Sequence, residues 1–303
     1  MPLTDHVALV SLTAEIETRN LMRVAAAAQK QLLRDFYPLW GLPATIDAFA
    51  DLESVPSDYR PVIVFGDPGE LAGWIEQAIG ETPASELVAG FRAERFQGLH
   101  LNAFTRQPFA LIQVSESWPV TVSHETLEII TNPSGNTVRA AAHPLTTDVR
   151  VNYLLEICDP CMPSWYLVNG LPMSDFCAPR YFDPVRADTG RYSFSGEIEL
   201  PMQILDGGYV SWIDPRDSTV YMLAGGTIEP VALLGEPELA RSSLPLRTLV
   251  DTNPLTPRLI DEPVRKARPA IADLGGVEGT RNASVSTATA IAQTLVSLAA
   301  ETD

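Results

Sequence analysis

The sequence predicts an α+β protein, with a mixed sheet in the first half of the chain and a β-rich part in the second half. Two helices and a set of short apolar runs lead to this fold class. The first helix is predicted over residues 19–37, where Leu21, Val24 and Leu32 recur at helical spacing. The second is predicted over residues 120–131, directly before a run of turn-forming residues. Strands are predicted at 7–16, 44–50, 59–65, 149–157, 196–201, 208–213 and 220–224.

Two pairs of apolar runs predict hairpins. The first pair, 98–102 and 108–115, is separated by a loop and leads directly into the second helix. The second pair, 165–168 and 171–173, flanks Asn169-Gly170, a dipeptide that favours the type I′ turn of a tight hairpin. The sequence also predicts a short amphipathic helix at 70–79 and a loop with one helical turn at 81–96.

Changes in composition divide the chain into three parts. An N-terminal subdomain is predicted over residues 1–136, and a β-rich C-terminal subdomain that completes the site over 137–261. Residues 262–303 contain more Gly, Ser and Asn, which is typical of a linker and tail. The Ala-rich stretch 285–300 predicts a terminal helix within that tail.

The chain is strongly acidic, with 303 residues, a formal net charge of −17 and a pI of about 4.6. Phosphate contacts need clustered Lys and Arg, so this composition argues against a nucleic-acid binder and against a polybasic membrane-surface protein. No apolar run approaches the ~20 residues of a membrane-spanning helix, and the N-terminus lacks the basic region of a signal peptide. With only three cysteines, the sequence predicts a protein of the reducing cytoplasm.

The strongest functional signal is the sequence His124-Glu125-Thr126-Leu127-Glu128 in the second predicted helix. Residues four apart lie on one face of an α-helix, so His124 and Glu128 would stand one turn apart, with Glu125 beside them. Two metal ligands at this spacing, with a carboxylate between them, form the helix of a zinc peptidase. The second ligand is usually His, but Glu is also a zinc ligand. The pattern therefore predicts a zinc site that contains His124 and Glu128.

A catalytic zinc ion needs a third protein ligand, which must come from outside this helix. The candidates are Asp159, Asp175, His143 and Asp183. Asp159 ranks first, because it lies in a turn at the end of a predicted strand and precedes a proline that fixes the chain direction. Asp175 ranks second. His143 is the better zinc ligand chemically, but it lies in an Ala-rich stretch without other polar residues.

These residues predict a metallopeptidase. A zinc ion lowers the pKa of bound water and polarises the scissile carbonyl, and Glu125 would accept the proton of that water as general base. The substrate would be a peptide or protein segment in an extended conformation, held by β-addition at an edge strand. Residues 98–102 or 109–114 are the candidates for that edge.

A non-catalytic structural or interaction protein is the alternative. Short motifs of His and Glu also arise by chance, because Glu is a good helix former. A metal site requires the ligand side chains to converge on one point. A structural role instead predicts diverging side chains, or salt bridges from Glu125 or Glu128 to arginines. A calcium site is a third possibility, although it needs more oxygen ligands than the sequence identifies.

The predicted order of elements is the layout of the N-terminal subdomain of zincins. That layout is a mixed sheet with a long N-terminal helix, followed by a helix that bears the ligands. Several blocks also resemble a family of uncharacterised bacterial proteins, over roughly the first two thirds of the chain: 28–31, 34–41, 44–49, 117–128, 156–160 and 168–182. That family is similar to zincin-like metallopeptidases through its His-Glu helix. The resemblance implies a fold more than an activity, and it favours Asp159 or Asp175 as the third ligand.

Overall fold

The computed structural model describes residues 5–93, 97–102, 107–146, 148–183, 191–234, 245–253 and 256–257. All of them belong to one compact unit that comprises Met1–Arg265. The predicted tail at 262–303, with its predicted helix at 285–300, lies outside the described residues.

The first sheet is mixed, as the sequence predicts. Its five strands are β1 (Asp5–Ser11), β2 (Ala44–Phe49), β3 (Tyr59–Phe65), β4 (Gly98–Leu101) and β5 (Phe109–Gln113). Their order is β2-β1-β3-β5-β4. Neighbouring strands are parallel, except that β4 pairs antiparallel with β5. The predicted hairpin is therefore this β4–β5 pair, in which β4 lies at the edge of the sheet and β5 lies inside it.

The described helices are α1 (Thr18–Gln31), α2 (Tyr37–Trp40), α3 (Pro68–Ile79), α4 (Glu81–Arg92), α5 (Trp118–Thr131) and α6 (Leu246–Asp251). The stretch predicted as one helix at 19–37 is α1 followed by a π-helical turn at Leu32–Phe36. The loop predicted at 81–96 is wrong, because α4 occupies most of it. Leu87 and Phe91 are buried against the first sheet, and this apolar face outweighs the low helix propensity of Gly90. None of the described helices is long and apolar enough to cross a membrane.

The second sheet is antiparallel and has the order β12-β11-β10-β7-β6. Its strands are β6 (Val138–Ala142), β7 (Arg150–Leu154), β10 (Tyr209–Asp214), β11 (Thr219–Ala224) and β12 (Thr227–Leu233). A separate hairpin contains β8 (Trp165–Val168) and β9 (Leu171–Ser174). Its turn residues Asn169 and Gly170 have φ angles of 52° and 78°, as a type I′ turn requires. The strand predicted at 196–201 is wrong, because that segment forms no ladder.

One apolar cluster contains residues from both halves of the chain. It includes Val7 of β1 and Val64 of β3, Val122 of α5, and Tyr153 and Trp212 of the second sheet. The segments predicted as separate subdomains, 1–136 and 137–261, therefore share a core. This shared core brings α5 close to the turns that follow β7.

Candidate metal centre

α5 is buried along almost its whole length, which brings its polar side chains into the interior. All residues from Pro119 to Thr131 are buried. The helix packs against β4 and β5 of the first sheet and against β9. His124, Glu125 and Glu128 are 2 %, 2 % and 0 % exposed. Buried ionisable groups require partners, so the surroundings of these three residues determine what α5 can do.

Three ligand atoms converge next to α5. His124 Nε2 lies 3.3 Å from Glu128 Oε2 and 3.1 Å from Asp159 Oδ1. One ligand atom from each of the three residues lies within 4.8 Å of the other two. Ligands about 2.0–2.2 Å from a tetrahedral zinc ion are separated by roughly 3.3–3.6 Å. The distance to Glu128 lies at the lower end of this range, and the distance to Asp159 is slightly shorter. These buried His, Glu and Asp side chains could therefore hold a metal ion.

Asp159 reaches this point because the chain turns sharply after β7. Asp159–Cys161 form a 3-10 turn with Pro160 in its first positions. Gly208, just before β10, lies directly against this turn. A Cβ atom at position 208 would come within 2.7 Å of Pro160 O and 2.8 Å of Asp159 O, so only glycine allows this close approach.

The second oxygen of each ligand carboxylate accepts a hydrogen bond. Glu128 Oε1 accepts a hydrogen bond from the backbone N–H of Cys158 at 3.0 Å. Asp159 Oδ2 accepts one from Arg247 Nη1 at 2.7 Å. Each carboxylate thus directs one oxygen toward His124 while its second oxygen is held by a donor, an arrangement that orients ligands before a metal ion binds. His124 Nδ1 has no hydrogen-bond partner among the described residues.

A second group of ligand atoms shares Glu128 with the first. His100, on β4, places Nδ1 3.2 Å from Glu125 Oε2 and 4.0 Å from Glu128 Oε2. These three atoms also lie within 4.8 Å of one another. The close approach of β4 to α5 requires Gly98, because a Cβ atom there would overlap Thr121 and come within 3.0 Å of Glu125 Oε1.

The guanidinium of Arg247, on α6, occupies the other side of this cluster and is 2 % exposed. It forms ion pairs with four buried carboxylates: Glu128 at 3.1 Å, Glu156 at 2.8 Å, Asp159 at 2.7 Å and Asp251 at 2.6 Å. A metal site predicts that the ligand side chains converge on one point. A salt bridge from Glu128 to an arginine is the feature that a structural role predicts, and the structure contains both.

Two hydrogen bonds to the turn after α5 hold α6 in place. The backbone N–H of Arg247 donates to Gly135 O at 3.0 Å. The backbone N–H of Leu246 donates to Asn136 Oδ1 at 2.8 Å. Gly135 has a φ of +65°, and a Cβ atom there would lie 2.8 Å from Pro245 Cβ. α6 also packs against the edge strand β4.

The charges of the cluster shift the pKa values of His124 and Glu128 in opposite directions. Burial lowers the pKa of His124, but the facing carboxylates of Glu128 and Asp159 outweigh it and raise that pKa well above its ordinary value. Burial raises the pKa of Glu128, but Arg247 and His124 outweigh it and lower that pKa. These opposite shifts favour an imidazolium at His124 facing a carboxylate at Glu128.

The carboxylates of Glu156 and Asp251 have raised pKa values. Burial raises the pKa of Glu156 well above its usual range, although Arg247 opposes this shift. Burial likewise raises the pKa of Asp251 to about 7. Burial lowers the pKa of the Arg247 guanidinium, but Asp159 and Asp251, among others, raise it by more, so this side chain remains charged.

The other candidates for the third ligand lie elsewhere. Asp175 is buried and accepts hydrogen bonds from the backbone N–H and the hydroxyl of Ser195. The His143 ring packs edge-on against Trp212 at a centroid distance of 5.6 Å. Asp183 is half exposed and lies 3.9 Å from Arg139. Among the candidates, the structure brings only Asp159 together with His124 and Glu128.

Sequence reasoning missed His100, Glu156, Arg247 and Asp251. His100 lies in a strand that the sequence predicted, and Glu156 lies at the end of another. Arg247 and Asp251 have the i,i+4 spacing of a helical ion pair, but no helix was predicted there. That spacing was the available signal for α6.

No family model, curated protein or solved structure matches this chain. The function must therefore be inferred from the geometry of the site.

Proposed function

We propose that this protein is a zinc-dependent hydrolase that cleaves peptide bonds. The observation that carries the proposal is the convergence of His124 Nε2, Glu128 Oε2 and Asp159 Oδ1, with distances of 3.1 and 3.3 Å from the imidazole nitrogen. The second oxygen of each carboxylate is held by a donor, which orients the first oxygen toward His124 Nε2, where a cation would bind in place of the imidazole proton.

One imidazole nitrogen with two carboxylate oxygens is a donor set that suits zinc. Three protein ligands leave the fourth tetrahedral position open, which is the feature of catalytic zinc sites. Calcium takes six to eight oxygen ligands, so a site with an imidazole nitrogen does not suit it.

A bound zinc ion would lower the pKa of a water molecule and polarise a carbonyl group. Glu125, one residue after His124 on α5, is the carboxylate that would accept the proton. Its Oε2 lies 3.2 Å from His100 Nδ1, so the imidazole of His100 would orient this general base.

The substrate would be an extended peptide paired with β4. Of the two segments that the sequence predicts as a substrate edge, β4 is at the sheet edge, whereas β5 pairs with strands on both sides. The ligands are at most 2 % exposed and α6 packs against β4. Substrate entry therefore requires that α6 move away from β4.

A structural role is the second candidate, and the ion pairs of Arg247 are the observation that favours it. A guanidinium that balances buried carboxylates can fix the position of α6 without any catalysis. In this case the cluster would bind no metal ion and the protein would hydrolyse nothing.

Metal content distinguishes the two candidates. We expect at least one zinc ion per chain in protein purified without chelator. We expect His124→Ala to lose the zinc ion of this site. His143→Ala is the matched control, because His143 lies outside the cluster and should leave the zinc content unchanged. Absence of zinc from the wild-type protein, even after zinc is supplied, would support the structural role instead.

Hydrolysis is tested separately with a library of unstructured peptides. Zinc-loaded wild-type protein should cleave members of the library, and Glu125→Gln should abolish cleavage while zinc remains at His124. Cleavage that persists unchanged in Glu125→Gln would contradict the role of this residue as general base.

A further inference from the structure

His100 joins the cluster from β4. Its Nδ1 lies 3.2 Å from Glu125 Oε2 and 4.0 Å from Glu128 Oε2. His100 is 1 % exposed, and its Nε2 has no hydrogen-bond partner among the described residues. One nitrogen and two carboxylate oxygens thus form a second set of donors, built from β4 and α5.

Glu128 Oε2 is the atom common to both sets. It is fully buried and accepts no hydrogen bond among the described residues, although Arg247 Nη2 lies 3.1 Å away. It lies 3.3 Å from His124 Nε2 and 4.0 Å from His100 Nδ1. An oxygen within 4.0 Å of two imidazole nitrogens could be a ligand of two cations at once.

The buried carboxylates near the site outnumber the guanidinium groups that pair with them among the described residues. Five buried carboxylates surround the site, at Glu125, Glu128, Glu156, Asp159 and Asp251. Arg247 supplies one positive charge. Arg247 forms ion pairs with four of these carboxylates, whereas the ion pair described for Glu125 is with His100. A buried carboxylate requires a positive partner, and a cation held by His100, Glu125 and Glu128 would supply one to Glu125.

We propose that His100, Glu125 and Glu128 bind a second divalent transition-metal ion, bridged to the first by Glu128 Oε2. Two ions that share one oxygen lie about 3.5–4 Å apart, as in two-metal hydrolytic sites. The imidazole and carboxylate donors suit manganese, iron, cobalt or zinc. This inference rests on the first site in the proposed function, because the two sites share Glu128. It changes the role of Glu125 from general base to ligand of the second ion.

Manganese is the probe, because its EPR spectrum reports whether two ions are close together. Metal-free full-length protein is titrated with Mn²⁺, and bound metal is counted after removal of free ions. We expect two ions per chain and the multiline spectrum of a spin-coupled pair. One ion per chain with the six-line spectrum of an isolated ion would overturn the second site and leave the proposed function intact. Failure to bind Mn²⁺ or Zn²⁺ at all would overturn both proposals.

Variants identify the ligands. His100→Asn should reduce the bound Mn²⁺ from two ions to one and abolish the coupling. His6→Asn is the matched control: His6 lies on β1, bonds Thr45 and should retain two ions. Two ions retained in His100→Asn would overturn the assignment. If His100→Asn fails to fold, judged by circular dichroism, the spectrum of the wild-type protein alone still decides between one ion and two.

His100 and Glu125 could alternatively form a simple hydrogen-bonded pair, in which the imidazole only orients the base. In that case His100→Asn would alter the pH dependence of hydrolysis and leave one ion in both proteins. This result would overturn the second metal site.

Discussion

The two oxygens of Asp159 face different partners: Oδ1 lies 3.1 Å from His124 Nε2, and Oδ2 lies 2.7 Å from Arg247 Nη1. Asp159 therefore links the ligand-bearing helix α5 to α6. Because Arg247 also pairs with Glu128, the same guanidinium contacts two of the three residues proposed as zinc ligands.

Arg247→Met should destabilise the metal-free protein by about 3–5 kcal/mol, because it leaves several buried carboxylates without a counter-ion. A saturating concentration of Zn²⁺ should restore part of this loss, because a bound cation replaces the missing charge and binds only the folded state. Urea unfolding with and without Zn²⁺ measures both effects. Arg150→Met, which removes an exposed arginine bonded to Ala140 O, should change stability little. A structural role for the cluster predicts the same destabilisation but no recovery with Zn²⁺.

The sequence predicts the part of the site that depends on local pattern. The i,i+4 spacing of His124 and Glu128 is visible in any helical segment, and the Asp159 turn is marked by its strand and proline. His100 and Arg247 could not be found in this way. Arg247 is 88 residues away from Asp159 in the chain, and His100 is 25 residues away from Glu125. Contacts between such distant residues depend on how the sheets pack, which spacing does not encode.

The fold has the same division between local and long-range features. The strands of the first sheet and the β8–β9 hairpin follow from alternation and turn residues. The helix α4 was missed because Gly90 lowers its helix propensity, and the stabilising contact, between Phe91 and Phe65, is formed only in the folded sheet. The burial of α5 on nearly all sides does not follow from the sequence pattern, because β4 and residues of the second half of the chain cover its polar side only in the folded protein.

Gly208→Ala should weaken metal binding. The new Cβ atom would meet the backbone oxygens of Asp159 and Pro160 at 2.8 and 2.7 Å, so the turn that carries the Asp159 carboxylate must shift. Overpacking of this kind costs about 1–3 kcal/mol of stability, and the displaced ligand should lower the affinity for Zn²⁺. Competition with a zinc chelator measures that affinity, and urea unfolding measures stability.

Gly73→Ala is the control for this substitution. Gly73 lies in α3, and a Cβ atom there has nothing within 4 Å. Because alanine favours a helix over glycine, this variant should gain up to about 1 kcal/mol and keep its zinc affinity. Equal zinc affinity in Gly208→Ala and Gly73→Ala would contradict the assignment of the Asp159 turn to the site.

Asn136→Ala should accelerate access to the site. It removes the acceptor of the Leu246 backbone N–H, one of the two hydrogen bonds that hold α6 to the turn after α5. Loss of this bond raises the population of conformations in which α6 has left β4. We expect faster release of Zn²⁺ to a chelator in stopped-flow measurements and faster peptide cleavage. Asn20→Ala, which changes an exposed position on α1, is the control and should leave both rates unchanged. If Asn136→Ala has the same two rates as the wild-type protein, α6 does not control access.

Arg216→Ala should raise the pKa of Asp214. The hydrogen bond from the Arg216 guanidinium is the main cause that lowers this pKa to about 2. Without that guanidinium the pKa should rise toward its ordinary value of about 4. A depressed carboxylate pKa stabilises the folded state above the unfolded value, and this contribution is lost as the pH falls from about 4 through 2. The wild-type protein should therefore resist acid unfolding to a lower pH than Arg216→Ala.

The titration of the Asp214 carboxyl carbon by NMR measures the shift directly, and acid unfolding followed by circular dichroism measures its effect on stability. Arg19→Ala, which removes an exposed arginine on α1, is the charge-matched control and should leave the Asp214 titration unchanged. Because Asp214 ends β10 and accepts the Arg216 backbone N–H as well, part of the depression should persist in Arg216→Ala. An unchanged midpoint in that variant would assign the depression to the backbone N–H rather than to the guanidinium.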